Sequence, residues 1–283
     1  MPYTAEISRT NPTYFIFILD QSGSMLDSFG GEVGEKGLRK ADFLADVVNR
    51  TLHDLVMRCT KPEEVRNYYH ISIIGYGNGV GPAFGGALAG REIVPIAEVA
   101  DNPVRVETRM KKTSDGAGGL VDQAVKFPIW VDSQGSGGTP MCAALKQAEE
   151  LIKGWISDPS HKTSFPPTIL HITDGESTDG DPTDLGRTLT SLGVSDGQAL
   201  LYNCHISSER AAKIEYPSNV EEISNQFAKV LFNFSSILPT NFNSVAKQIG
   251  LPVKENSRGF VFNADSTALV QFFDIGTRSA NLR

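Results

Sequence analysis

Hydrophobic residues are distributed along the chain in two patterns, short continuous runs and longer stretches with helical spacing. Five runs are rich in β-branched and aromatic side chains and do not alternate with polar residues, which indicates strands that are buried on both faces. These runs are residues 14–19, 70–77, 168–173, 199–206 and 259–264, and a shorter candidate spans 127–132.

Helices are predicted in the segments between these runs. Apolar residues recur with helical spacing from Leu44 to Val56, which places them on one buried stripe. Other helix starts are indicated by capping residues, because threonine, serine and aspartate accept hydrogen bonds at a helix N-terminus and proline suits the first turn. The predicted starts are Thr139-Pro140, Asp181-Pro182, Ser218 with Glu221 as a capping box, and Asp265.

The alternation of strand and helix signals predicts an α/β fold, with a three-layer, doubly wound, mostly parallel sheet and helices on both faces. In such a sheet a ligand binds outside the carboxyl ends of the strands, at the point where the strand order reverses. Polar residues that directly follow the predicted strands are therefore the first candidates for a functional site.

Two segments are too long to be simple connections between a strand and a helix. Residues 25–37 form a glycine-rich stretch, and residues 78–138 form an insertion in which 92–98 and 103–110 have the pattern of a hairpin, followed by the polar stretch 111–119. Long loops inside a compact domain are usually functional or disordered. Both segments leave from the carboxyl ends of strands, so we expect both to border the site.

Three segments of the chain supply side-chain oxygens at this edge. Asp20, Ser22 and Ser24 follow the first apolar run in the sequence DQSGSM, Thr139 follows a glycine-rich loop, and Asp174 follows the run at 168–173. The first and fourth strands of a doubly wound sheet lie side by side at the reversal point, so Asp20 and Asp174 are expected to face each other. Two carboxylates that close repel unless a cation lies between them. An all-oxygen set of two carboxylates and three hydroxyls favours Mg²⁺, with Mn²⁺ as an alternative and zinc disfavoured.

The charge of this set predicts how the ion would be used. Two carboxylates balance a divalent cation without an excess of negative charge, which leaves the metal electrophilic. A carboxylate from another molecule could then complete the coordination. The sequence in this way favours a binding module without catalysis of its own.

These three elements together resemble the von Willebrand factor A family. The resemblance is carried by Asp-x-Ser-x-Ser after an apolar strand, a Gly-Gly-Thr-Pro loop, and Thr-Asp-Gly after another strand. It implies that Asp20, Ser22, Ser24, Thr139 and Asp174 form a metal-ion-dependent adhesion site. It also implies a six-stranded, mostly parallel sheet over about residues 12–280, in a single domain of residues 1–283 that carries the insertion at 78–138. The implied partner is a protein that supplies an acidic residue.

Composition limits the partners and the location. The formal net charge of −7 disfavours nucleic acid and anionic membrane surfaces as partners. No apolar run approaches the length of a membrane-spanning helix, and three widely spaced cysteines fit neither a disulfide framework nor a zinc site. We expect an unsecreted, cytoplasmic protein. Within the family, the chain is most similar to bacterial cytoplasmic members, which accompany MoxR-type AAA+ ATPases, or protein kinases and phosphatases, in stress and phage-defence systems.

The same residues also have simpler interpretations. Each of the five side chains taken alone could cap a turn or a helix, and Thr139 has both uses available. The acidic residues within 176–184 fit a solvated helix start, or they could tune the ion through water. His171 is expected to be a satisfied core residue, and His205 a packed strand end rather than a catalytic partner of Cys204. The stretch GGEVGEKG lacks the Walker spacing and is rejected as a nucleotide cradle.

Two alternative functions are kept. A Mg²⁺-dependent phosphohydrolase of the haloacid dehalogenase type also uses a strand-end aspartate. It needs a carboxylate two residues later, where this chain has Ser22, and a positioned lysine that no motif supplies. A self-assembling structural subunit would instead place an acidic residue of one copy in the site of the next.

Overall fold

A central sheet with helices on both faces dominates the computed structural model, which describes residues 2–29, 37–114, 119–206, 212–240, 242, 246–247 and 250–277. The strands are β1 (Thr13–Asp20), β2 (Tyr69–Tyr76), β3 (Val80–Pro82), β4 (Val94–Pro95), β5 (Arg105–Ser114), β6 (Leu120–Ile129), β7 (Thr168–Thr173), β8 (Gly193–Val194), β9 (Gly197–Gln198), β10 (Leu200–Ile206), β11 (Ile214–Glu215) and β12 (Phe260–Ala264). The helices are α1 (Lys40–Cys59), α2 (Ile96–Asp101), α3 (Met141–Ser157), α4 (Thr183–Ser191), α5 (Gln226–Phe234) and α6 (Ser266–Gly276).

The sheet has the doubly wound character that the sequence predicts. Its eight strands include the series β11-β12-β10-β7-β1-β2-β3, and β4 also pairs with β2. The five strands from β12 to β2 are parallel and correspond to the five predicted apolar runs, whereas β3, β4 and β11 are short and antiparallel. The fold class is therefore confirmed. The short edge strands explain why the sheet has eight strands rather than the six that the resemblance implied.

The strand order reverses between β1 and β7. The chain proceeds from β1 to β2 on one side, and it then crosses to the other side of β1 and adds β7, β10 and β12 in turn. In the parallel register of β1 with β7, Leu19 lies opposite Ile172. The residues that follow these two strands therefore emerge at the same sheet edge, where a doubly wound sheet binds its ligand.

Both faces of the sheet are covered, which explains why its strands do not alternate in polarity. Phe17 of β1 lies in the core formed with α1 and α6, and its ring stacks on Phe273 with centroids 5.8 Å apart. Tyr14 points to the opposite core, formed with α3 and α5, and stacks on Trp155 at 5.5 Å. Since every residue of β1 is buried, both of its faces must be apolar.

Residues 92–98 do not form the predicted hairpin with 103–110. They contribute the edge strand β4 and the first turn of α2. Val94, Ile96 and Val99 are all buried in the core on one side of the sheet. The prediction was wrong because Val94 and Ile96 are two positions apart, which is the spacing of a strand. The chain nevertheless begins a helix at Ile96.

The insertion does contain a hairpin, which joins β5 to β6 over ten residue pairs. The predicted strand at 127–132 is the end of β6 and lies outside the central sheet. Residues 111–114 of the polar stretch 111–119 end β5, and its residues 115–118 lie outside the described residues. Residues 30–36, which include most of GGEVGEKG, also lie outside them.

Asn49 of α1 fastens the end of the hairpin to the body of the protein. Its Oδ1 accepts hydrogen bonds from the backbone N–H groups of Trp130 at 2.7 Å and Val131 at 3.0 Å. Its Nδ2 donates to the carbonyl oxygen of Val131 at 2.8 Å. Because only 1% of Asn49 is exposed, water does not reach this contact, and the Asn49 side chain satisfies the buried backbone groups of Trp130 and Val131 instead.

The helix starts agree in part with the predicted ones. Asp265 caps α6, since its carboxylate accepts a backbone N–H at 2.7 Å. The capping box is formed by Asn219 and Glu222, one residue later than predicted, because the hydroxyl of Ser218 contacts Glu222 instead of capping the turn. Within the described part of the chain, no helix has the length and apolarity needed to cross a lipid bilayer.

Candidate metal site

Asp20 and Asp174 lie side by side at the reversal point of the sheet. Asp20 is the last residue of β1, and Asp174 directly follows β7. The backbone N–H of Asp174 lies 3.4 Å from Oδ2 of Asp20. The parallel pairing of the two strands places both residues at this edge, as the sequence predicts.

Asp20 is held by hydrogen bonds from both strand ends. Its Oδ1 accepts from the backbone N–H of Ser22 at 2.8 Å, and its Oδ2 accepts from Oγ1 of Thr173 at 2.8 Å. Burial raises the pKa of Asp20 against the opposing effect of the hydrogen bonds from Ser22, and the charge of Asp174 raises it as well. The carboxylate is thus fixed in orientation and costly to keep ionised without a cation.

The two serines of the first loop meet Asp174. A 3-10 turn at Gly23–Leu26 curls the chain so that the Oγ atoms of Ser22 and Ser24 lie 3.1 Å apart. Oγ of Ser24 donates to Oδ1 of Asp174 at 2.8 Å, and Oγ of Ser22 lies 3.5 Å from the same oxygen. Two hydroxyls and one carboxylate oxygen therefore form a single small cluster.

Thr139 approaches this edge from the loop before α3. Two backbone hydrogen bonds, of 2.7 and 3.1 Å, tie loop 135–138 to the loop that holds the serines. Gly137 has a φ of +76°, and a Cβ there would lie 2.7 Å from neighbouring backbone, so this close approach requires glycine. The Thr139 hydroxyl lies 3.8 Å from the point that a Cβ would occupy on Gly175, the residue after Asp174. Thr139 is therefore close to the start of the loop that follows β7.

Thr139 does not cap α3, so that expectation was wrong. Asp179 caps the helix, because its carboxylate oxygens accept the backbone N–H groups of Cys142 at 3.0 Å and Ala143 at 2.9 Å. Asp181 similarly accepts the backbone N–H of Thr183 at 2.9 Å at the start of α4. Asp179 and Asp181 therefore serve helix starts, and the Thr139 hydroxyl is not used by the helix that follows it.

Lys40 is the site residue that sequence reasoning missed. It is the first residue of α1, and its Nζ lies 2.5 Å from Oδ2 of Asp174. The side chain of Lys40 is 4% exposed and that of Asp174 is not exposed at all. A lysine at a helix start has the pattern of a surface residue. The pair of predicted carboxylates, Asp20 and Asp174, could have indicated a nearby cationic side chain, because buried carboxylates require positive charge close to them.

The two histidines near this edge occupy structural positions. His171 is bonded through both ring nitrogens, to the hydroxyl of Tyr76 and to Oδ1 of Asn203, each at 2.8 Å. The ring of His205 stacks on Phe262 with centroids 4.4 Å apart. The expectation that His171 is a satisfied core residue is confirmed, and His205 is packed at its strand end.

The donor set fits a small divalent cation. Hard oxygen donors from three segments share one sheet edge, and two of them are carboxylates. Burial raises the pKa of Asp20, and a bound cation would oppose that shift. Among the described residues, no group of three or more His, Cys, Asp or Glu side chains could hold a metal. An ion at this edge would therefore depend on the hydroxyls for part of its coordination.

Comparisons with known proteins find distant likenesses. No family model matches the chain, and no curated protein matches it. Among solved structures, proximal thread matrix protein 1 from the mussel byssus is 13% identical with a TM-score of 0.42, covering 82% of this chain and 43% of that one. The manganese-loaded TRAP protein of Plasmodium vivax is 13% identical with a TM-score of 0.39, covering 96% of this chain and 75% of that one.

A third similar structure is the von Willebrand factor domain of the type V pili tip protein Mfa5 from Porphyromonas gingivalis. It is 16% identical with a TM-score of 0.29, covering 59% of this chain and 39% of that one. The chain thus spans less than half the length of the mussel protein and of the Mfa5 domain. Because these TM-scores are low, the fold class is assigned from the strand order of this chain.

Proposed function

We propose that this protein is a non-catalytic binding module that holds a divalent cation, Mg²⁺ or Mn²⁺, and through it binds an acidic residue of another protein. The observation that carries the proposal is the meeting of oxygen side chains from three separate segments at the reversal point of the sheet. The proposed ligands are Asp20, Ser22, Ser24, Thr139 and Asp174. Their sequence pattern, which resembles that of the von Willebrand factor A family, supports the same assignment.

The proposed ligands would contribute to ion binding in two ways. Asp20 and Asp174 supply negative charge, and the three hydroxyls supply neutral oxygens. When bound, the ion offers a Lewis-acidic position to an outside ligand. Since the carboxylates do no more than balance a charge of +2, an acidic group of a partner is attracted and not repelled.

The loops at the carboxyl ends of β1, β2 and β7 would form the contact face. Ser24 is exposed there, and Leu26 has an exposed fraction of 43%. An apolar side chain beside a metal would add contact area to a link that is otherwise polar. The identity of the partner as a MoxR-type AAA+ ATPase, a kinase or a phosphatase stays a prediction, as do the bacterial cytoplasmic location and the single-domain extent.

A phosphohydrolase is the alternative that one observation favours. Lys40 places an ammonium group beside Asp174, which supplies the lysine that the sequence analysis found missing. Against this function, the residue two positions after Asp20 is Ser22, so the expected general acid is absent from that position. The Lys40 side chain is also 4% exposed and is not presented to a substrate. Turnover of a phosphoester that requires Mg²⁺ and is lost in Asp20→Ala would replace our proposal.

Metal binding is tested by titrating Mn²⁺ into the purified full chain and measuring the free ion by electron paramagnetic resonance. Asp20→Ala is expected to weaken binding by more than the roughly 10–100-fold loss that follows removal of an outer-shell partner. Asp184→Ala is the matched control, because it removes the same charge from α4 at a side chain that is 97% exposed. Unchanged affinity in an Asp20→Ala protein that folds normally, as judged by circular dichroism, would refute the metal assignment.

Partner binding is tested by retaining proteins of the native host on the immobilised full chain. We expect a partner that is held in Mg²⁺, is released by EDTA, and is not held by Asp20→Ala. Retention that survives both EDTA and the substitution would refute a metal-bridged contact. Light scattering of the chain alone, with and without Mg²⁺, detects the self-assembling alternative.

A further inference from the structure

The two carboxylate oxygens of Asp174 face different groups. Oδ1 accepts the hydroxyl of Ser24 at 2.8 Å and lies 3.5 Å from Oγ of Ser22. Oδ2 lies 2.5 Å from the Nζ of Lys40. One buried carboxylate thus connects the hydroxyl cluster of the proposed metal site to a buried ammonium group.

The Lys40 ammonium is held by the Asp174 carboxylate. An ammonium group has three N–H donors, and among the described residues Asp174 is the acceptor that the Lys40 Nζ bonds. The start of α1 fixes its backbone, since the Lys40 N–H donates to the carbonyl of Asp27 at 3.0 Å. With one acceptor among the described residues, the buried ammonium is less well satisfied than it would be in water, and its release would let water accept from the other two N–H donors.

The charge of the edge changes with its occupant. With Lys40 in place, the two carboxylates and the ammonium sum to −1, whereas a divalent cation alone would bring the carboxylates to neutrality. With both cations present the sum would be +1, and both would face the same buried Asp174 carboxylate. Two cations that share one carboxylate in a buried site repel each other.

We propose that Lys40 is an internal cation that competes with the divalent metal for the Asp174 carboxylate, so that metal uptake releases Lys40 from it. This inference rests on the proposed metal site and adds a residue that sets its affinity. While the metal is absent, Lys40 offsets one of the two negative charges of the buried carboxylates. The same contact lowers the affinity of the site for the metal.

The first experiment compares Mn²⁺ affinity in the wild type, Lys40→Met and Lys40→Arg, all as full chains. Methionine keeps the length of the side chain and removes its charge, whereas arginine keeps the charge. Lys40→Met is expected to bind Mn²⁺ at least about tenfold more tightly than the wild type, whereas Lys40→Arg keeps the competing charge and is not expected to gain affinity. Unchanged or weaker binding in Lys40→Met would overturn the inference.

The second experiment uses the wild-type protein and does not depend on a variant that folds. Reductive methylation followed by mass spectrometry reports how accessible each lysine is. Lys40 is expected to react slowly without metal, because its side chain is 4% exposed. With saturating Mn²⁺ its rate is expected to rise at least about tenfold, relative to Lys146, whose side chain is 58% exposed. A Lys40 that stays protected in the metal-bound protein would overturn the inference.

The two proposals fail in different ways. If neither the wild type nor a folded Lys40→Met binds Mn²⁺, the proposed metal site is refuted and the inference falls with it. If both bind Mn²⁺ with equal affinity and Lys40 stays protected, the metal site stands and the competition alone is refuted.

Discussion

The buried chain of polar groups beneath the site makes stability depend on pH through His171. This residue lies in β7, two positions before Thr173, whose hydroxyl holds Asp20. Nδ2 of Asn203 donates to Oγ of Ser235 at 2.8 Å, so its Oδ1 must accept from Nδ1 of His171. Nε2 then accepts from the hydroxyl of Tyr76. The ring is therefore neutral, with its proton on Nδ1, and a second proton on Nε2 would face the Tyr76 hydroxyl.

The magnitude follows from the shift in pKa. Burial lowers the pKa of His171 from 6.5 to about 4, with the hydrogen bond to Asn203 opposing. Since the folded pKa lies below the unfolded one, the unfolded chain takes up the proton first on acidification. Stability is then complete above pH 6.5 and is lost as the pH falls toward 4. At roughly 1.4 kcal/mol per pKa unit the full loss is about 3 kcal/mol, of which about 2 kcal/mol falls between about pH 7.5 and pH 5.

The assay is urea unfolding of the wild type and His171→Gln at those two pH values, in EDTA so that metal binding does not contribute. Burial also lowers the pKa of His70 and His205, each to about 4, so the comparison with the wild type is what isolates His171. His171→Gln should lose about 2 kcal/mol less than the wild type on acidification. His53→Gln removes a partly exposed imidazole of α1 and serves as the control. An equal acid-induced loss in the wild type and His171→Gln would refute the reasoning.

Two further substitutions test the contacts that support the site. Asn49→Ala leaves the buried N–H groups of Trp130 and Val131 without an acceptor. It should lower the free energy of unfolding by about 2–4 kcal/mol, and a loss in urea unfolding below about 0.5 kcal/mol would contradict this role. Asp179→Ala removes the cap of α3 and should cost about 1 kcal/mol, or about 2–4 °C in a thermal melt. Asp179→Asn keeps one of the two acceptor oxygens and should lose less stability than Asp179→Ala, so an equal loss in both variants would contradict the cap.

The local sequence determined the sheet and most of the proposed ligand set. A parallel strand covered on both faces must be apolar along its whole length. Residues 14–19 and 168–173 can therefore be predicted as strands from their own sequence, without knowledge of the strands beside them. Asp20 and Asp174 follow these runs directly. The rule that ligands bind where the strand order reverses then brings the two carboxylates together. The cap at Asp265 could also be predicted from local sequence, because the cap and the residue whose N–H it accepts are only three positions apart.

The tertiary structure alone decided which distant groups share a contact. From the sequence alone, Lys40 is an ordinary residue at the start of a helix. The structure places Asp174, which is 134 residues away in the chain, 2.5 Å from its ammonium group. Thr139 was expected to cap α3, but Asp179 from the loop after β7 takes that place. The pairing of β5 with β6 was not predicted either, because it depends on which two segments the folded chain brings side by side. Hydrophobic periodicity is a local property, whereas the partner of a charge or a polar edge depends on what the folded chain brings beside it.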